Sequence, residues 1–264
     1  MKKIYLLFAT LLGTVLLSAS CGDDDKGPKT KDYAPGEIPG LGEAEGELTG
    51  TPFRLPDGVE LTSEITGGGS QYGYWTQAAS GAAPHILRQK DGSVTGRHPA
   101  AITRAGENCR YFGSGYGYVD LLIPMRNTRS GEITVTFPAA TILRSHSGAY
   151  QHGVLIKRVT VTIPPGADCL LCLAFYCGNA SKGAASGSTV YELGVVSDAK
   201  PLQDLCSRVK NKKINLEDHR PADSDDMYAY QAQVSELQDI VWAVTDGTGL
   251  DGQQIEYLNS LPGV

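Results

Sequence analysis

Residues 169–177 read CLLCLAFYC, nine positions in a row without a charge or an amide. The run is too short for an ordinary buried helix. Its aromatic end and the Pro164-Pro165-Gly166 turn before it mark it as a strand buried on both faces. Such a strand must lie in the middle of a sheet with apolar material on either side, and nothing else in the chain constrains the fold as tightly.

The neighbouring patterns supply the rest of an architecture. Residues 118–125 and 132–137 are apolar or β-branched runs separated by Asn127-Thr128-Arg129-Ser130-Gly131, which reads as a hairpin. Residues 154–163 (VLIKRVTVTI) end in strict alternation from Val159 to Ile163, the mark of a half-buried strand. The period then changes. Leu202, Leu205, Cys206 and Val209 lie at i, i+3, i+4 and i+7, one face of a helix that begins near Pro201. A polar stretch, 217–226, separates it from a second helix over 231–244 with the apolar stripe Val234, Leu237, Val241 and Val244. A last helix over 251–260 opens on Asp251 as N-cap, with Gln254 three residues on. Strands first and helices last predict an α+β fold: an antiparallel β core followed by a C-terminal helical segment at about 199–261. From 53 to 110 the signal is weak, with Gly67-Gly68-Gly69 and the aromatics Tyr72, Tyr74 and Trp75 pointing to short strands and loops.

The amino terminus sets the address. Lys2 and Lys3 precede an apolar run from Ile4 to Leu17 that is short for a bilayer span. The following Leu17-Ser18-Ala19-Ser20-Cys21 resembles the lipobox of bacterial lipoproteins, in which the cysteine becomes the lipidated first residue. Gly22-Asp23-Asp24-Asp25-Lys26 resembles the surface-export signal of Bacteroidetes lipoproteins. The resemblance implies a signal peptide over 1–20, a lipid on Cys21, and a lipid-anchored, surface-exposed position on the outer membrane. Residues 21–52, rich in Gly, Pro, Lys and acids, read as a flexible tether, and 53–264 as the ectodomain.

Composition narrows the function by exclusion. With 23 basic and 29 acidic side chains the net charge is -6, so the basic stripe of a nucleic-acid binder is missing. The 32 glycines and 14 prolines fit short strands and turns and exclude a coiled coil. There is no G-x-S-x-G elbow, no P-loop, and no dinucleotide fingerprint between a strand and a helix. Gly113-Ser114-Gly115-Tyr116-Gly117 lacks the lysine and the following helix of a phosphate cradle, and reads as a loop needing positive φ. Cys169 and Cys172 share a C-x-x-C spacing, yet positions three apart on a strand face opposite ways. The five histidines show no ligand spacing, so neither a metal nor a cofactor is expected, and the chain does not read as an enzyme. Besides Cys21 there are five cysteines, Cys109, Cys169, Cys172, Cys177 and Cys206. In an oxidising compartment an odd count leaves at least one unpaired.

One constellation carries chemistry. Phe175-Tyr176-Cys177 closes the apolar strand, and residues 237–246 (LQDIVWAVTD) lie on the penultimate helix. Together they resemble the thioester domain of Gram-positive surface adhesins, which pairs an aromatic-Cys segment with a downstream T-Q-x-A-[IV]-W stretch. Leu237 stands where the family has T and Ile240 where it has A, so Gln238, Val241, Trp242 and the Thr245-Asp246 tail carry the match. The resemblance implies a β-sandwich-like core with a helical part, and a bond between Cys177 (sulfur) and Gln238 (acyl carbon). Trp242 would cover that bond, with Tyr176 and Asp246 in support. It also implies covalent capture of amines on a host protein. The other reading is a non-covalent surface lipoprotein that binds a glycan or a protein, with Tyr72, Tyr74, Trp75, Tyr116 and Tyr118 as stacking platforms.

Overall fold

The computed structural model describes residues 30–68, 111–219 and 224–264. The lipobox with Cys21, the aromatics Tyr72, Tyr74 and Trp75, and Cys109 lie outside them. In chain order the strands are β1 (Gly50–Pro52), β2 (Val59–Leu61), β3 (Ile65–Gly67), β4 (Tyr111–Gly113), β5 (Val119–Asn127), β6 (Ile133–Phe137), β7 (Thr141–Ser145), β8 (Gly153–Leu155), β9 (Val159–Ile163), β10 (Asp168–Cys177) and β11 (Val190–Ser197). Four helices follow, α1 (Lys200–Val209), α2 (Leu216–His219), α3 (Ser224–Thr245) and α4 (Gly252–Ser260).

The apolar run forms β10, buried without interruption from Leu171 to Cys177. On one side it pairs antiparallel with β5, from Asp168 opposite Arg126 to Phe175 opposite Val119. On the other it pairs parallel with β4 and antiparallel with β8. Following the partners onward, β5 pairs with β3, β3 with β11, β11 with β7, β7 with β8, and β8 returns to β10, every pair antiparallel. The ring is closed: the core is an antiparallel barrel, not the sandwich-like pair of sheets expected. Alternating strands look the same in the sequence of either architecture, because both bury one face of each strand. Only the β5–β10 and β3–β11 pairings, far apart in the chain, decide between them.

Closure gives β10 its two buried faces. Leu171, Leu173, Phe175 and Cys177 point into the barrel with Val119, Leu121, Ile123, Met125, Leu143, Leu155 and Tyr191. Cys172, Ala174 and Tyr176 point outward into a second cluster built with Leu202, Leu205 and Val209 of α1 and Val234, Leu237, Ile240, Val241 and Val244 of α3. The alternation of period 2 therefore sorts one strand between two cores.

Three further expectations change. The runs at 118–125 and 132–137 are not a hairpin: β6 pairs with β9 in a separate two-stranded sheet. Buried Asn127 turns the chain away from β5, its Nδ2 donating to the carbonyls of Gly131, Ile163 and Pro164 and its Oδ1 accepting from Arg129 N. The stretch 154–163 is two strands in two sheets, split after Leu155. Helix α3 starts at Ser224, since Met227 and Tyr230 extend its buried stripe and Asp225 and Asp226 suit the positive end of the helix dipole. Helix α1 begins with Pro near its first position, and α4 carries the Asp251/Gln254 capping box in full.

The fifth difference has the largest bearing on the site. Residues 31–52 are not a free tether. Lys31 N donates to Asp198 O at 2.7 Å, Gly36 N to Val244 O at 2.9 Å and Gly42 N to Gly178 O at 2.8 Å. Ile38 and Leu41 are buried in the outer cluster. Four scattered large apolar side chains, Tyr33, Ile38, Leu41 and Leu48, among glycines, prolines and acids make no periodic signal. The segment docks through backbone contacts, which composition does not reveal. Among the described residues no helix is long and apolar enough to cross a membrane.

Candidate functional site at the end of β10

Cys177 is the last residue of β10, and the local hydrogen-bond parity defines its surroundings. Gly178 N donates to His152 O at 2.9 Å, on the β8 side. Successive residues of a strand direct their N–H and C=O alternately to the two sides, so those of Cys177 face the β5 side. There β5 has already ended its pairing with Val119 opposite Phe175. A buried N–H and a buried C=O are thus left without a strand partner.

Gln238 of α3 fills the gap. Its Oε1 accepts from Cys177 N at 2.8 Å and its Nε2 donates to Cys177 O at 3.0 Å, both bonds buried. The carboxamide stands in for one residue of a missing strand. Gln238 is 0 % exposed and Cys177 2 % exposed, so the pair is dry. The two residues are 61 positions apart in the chain and come from different secondary-structure layers. The helix places Gln238 among Val234, Leu237 and Val241, all buried, so its polar end has nowhere to turn except the strand.

The other expected residues group around this pair. Trp242, one helical turn after Gln238, packs against the barrel-interior cluster that contains Cys177. Tyr118 meets it edge to face with ring centroids 6.1 Å apart. The buried indole Nε1 of Trp242 has no hydrogen-bond partner among the described residues. Tyr176 is fully buried but on the helix-facing side of β10, opposite to Cys177. At the end of α3, Asp246 Oδ1 accepts from Ala180 N at 2.9 Å, and its Oδ2 lies 2.6 Å from the Thr245 hydroxyl. Asp246 therefore ties the segment just after Cys177 to the helix that carries Gln238. Tyr116 is buried in the outer cluster, which removes it as a stacking platform.

Burial dominates the electrostatics. It pushes the Cys177 thiol up to about 12, with the charges of Asp120 and Asp246 acting in the same direction. The thiol is thus held neutral. Asp120, two residues after Tyr118, is itself pushed up to about 7 by burial, an effect opposed by the hydrogen bond from Gly117 N. Gly113 and Gly117 have φ of 95° and 92°, and the intervening Gly115 lies so close to Phe175 that a Cβ would sit 1.9 Å from its carbonyl carbon. The glycine loop is therefore a close-packing device beside β10, with the positive φ that its sequence demands.

Two contributors carry no recognisable sequence signal. Asn179 is fully buried: its Oδ1 accepts from His152 N at 3.1 Å, and its Nδ2 donates to Gly42 O at 2.9 Å and Gly40 O at 3.3 Å. The strap of residues 36–42 is the other. Cys177 and Cys206 are free thiols, while Cys172 lies in the helix-facing cluster and Cys169 against the barrel-interior one. Among the described residues no group of three or more His, Cys, Asp or Glu side chains could hold a metal ion. No family model matches the chain, and neither a curated protein nor a solved structure does.

Proposed function

We propose that the chain is a cell-surface lipoprotein of adhesin type that stores an internal thioester between Cys177 and Gln238 and spends it on amines of a host or matrix partner. The observation that carries this reading is the reciprocal pair of hydrogen bonds. They fix the Gln238 carboxamide against the backbone of the very residue that bears the thiol.

The arrangement suits the chemistry. The Cys177 sulfur adds to Cδ of Gln238, and the developing oxyanion on Oε1 already faces the Cys177 N–H, a donor fixed by the strand. The C–N bond then breaks, and the amide nitrogen leaves as ammonia with the thiol proton. The product is a thioester, which a primary amine later opens by forming a new amide and returning the thiol. Exclusion of water protects the bond in the meantime. A lipid on Cys21 would hold the ectodomain on the outer membrane without a spanning helix.

Intact-mass measurement of the mature ectodomain tests the reading. The expected mass is one ammonia below that of the sequence, methylamine adds covalently, and Cys177→Ala abolishes the addition. An unmodified mass, with Cys177 titrating as a thiol, refutes the thioester and leaves Gln238 as a bridge that completes the sheet.

A further inference from the structure

A stored electrophile that is 0–2 % exposed cannot meet a protein amine unless something opens. Among the described residues around the pair, the strap of residues 36–42 contacts both site-bearing elements and belongs to neither. The strap reaches the segment after Cys177 through Gly42 N, which donates to Gly178 O at 2.8 Å, and through the two bonds from Asn179 to Gly40 and Gly42. It reaches the end of α3 through Gly36 N, which donates to Val244 O at 2.9 Å. Contact is close enough to require glycine. A Cβ on Gly42 would lie 2.1 Å from Thr245 O, and one on Gly36 would lie 2.4 Å from Gly247 O, with both residues at positive φ. The apolar hold is small: Ile38 and Leu41, the latter against Gly178. The strap takes no part in the barrel ring, so its release leaves that ladder intact.

We infer that residues 36–42 are a latch that clamps the end of β10 to the end of α3, and that its release is the opening through which a nucleophile reaches the Cys177–Gln238 pair. The bonds of Lys31 with Asp198 and Lys200 lie just ahead of the latch in the chain, so a pull from the N-terminal side loads those first and the latch next. Few buried apolar contacts and a handful of backbone bonds are the features of a low-stability unit that opens locally while the rest stays folded. The inference rests on the thioester reading for its purpose, but not for its test.

The test compares the modification rate of Cys177 in the full mature chain, read by peptide mass, in wild type, Leu41→Ala and Ile163→Ala. Leu41→Ala weakens the latch, and Ile163→Ala removes a similar buried side chain from β9, away from it. Methylamine is the probe if the wild-type mass shows a thioester, and iodoacetamide if it shows a free thiol. The latch is judged only on the ratio between variants, so loss of the thioester reading does not decide it. The expected result is a rate about ten-fold or more higher in Leu41→Ala. Ile163→Ala stays near wild type, and Cys206, on the buried face of α1, stays unreactive in all three. An unchanged rate in Leu41→Ala, or an equal rise in Ile163→Ala, overturns the latch. Should Leu41→Ala fail to fold, hydrogen exchange on the wild type decides: the Gly42 amide must exchange far faster than that of Leu173 in β10, and equal protection refutes local release.

Discussion

Replacing Cys177 with alanine separates a covalent pair from a hydrogen-bonded one by stability alone, because the bonds from Gln238 go to the backbone of Cys177 and survive the substitution. If the pair is only hydrogen-bonded, Cys177→Ala removes one buried sulfur and costs about 1 kcal/mol. If the thioester forms, the substitution also releases a cross-link between residues 61 apart. By the chain-entropy argument used for disulfides, that closure stabilises the fold by about 4 kcal/mol. The thioester reading therefore expects Cys177→Ala to cost about 5 kcal/mol. Gln238→Leu loses the cross-link and also strands one buried N–H and one buried C=O, at about 1–3 kcal/mol each, so it should cost more still. Urea unfolding, with the slope checked for constancy, measures both. A cost near 1 kcal/mol for Cys177→Ala beside several for Gln238→Leu refutes the covalent reasoning and keeps the structural bridge.

Asn127→Ala should destabilise by roughly 3 kcal/mol, since four buried or half-buried bonds depend on one side chain, and hydrogen exchange should rise first in β6 and β9. Asp120 binds its proton more tightly folded than unfolded, up to about 7 against 3.8, so its contribution is favourable in acid and is lost as pH rises through about 4 to 7. Asp120→Asn should therefore gain stability relative to wild type at pH 8 and show no such gain at pH 4; a pH-independent difference in unfolding midpoint would contradict this. His152 has the opposite sign. Burial, then Lys182 and Arg144, lower it from 6.5 to about 4, so its contribution is present above 6.5 and is lost as pH falls through about 4. His152→Gln, which keeps an acceptor for Ser145 N, should remove up to about 3 kcal/mol of acid sensitivity from the difference curve.

How much of this was legible depended on whether the information was local. Leu202, Leu205, Cys206 and Val209 announce α1, and Asp251 with Gln254 announces α4, because a period or a cap is complete within a few residues. The 169–177 run announced a strand with two buried faces, yet not what covered them. One cover is the barrel's own interior, which exists only after Ile65 meets Tyr191. The partner of β6 is hidden for the same reason: the turn at 127–131 looks like a hairpin until Asn127 reaches the carbonyls of Ile163 and Pro164. At the site, Cys177 and Gln238 stood out by residue type and flanking pattern. Their reciprocal bonds depend on β5 stopping one step short, which no local pattern encodes. Asn179 and the strap act through backbone carbonyls and amides, to which side-chain patterns are blind.

The early end of β5 also orders events in time. The slot beside Cys177 is bounded by β5 on one side of β10 and by β8 on the other, and α3 must be docked to fill it. Closing the ring joins residues as distant as Thr66 and Val190, the kind of long-range pairing that forms late and slowly. A thiol meeting its carboxamide before that moment would do so in water. On the proposed thioester reading, the reaction is deferred until the barrel is complete, and the ammonia released would mark a chain that has finished folding.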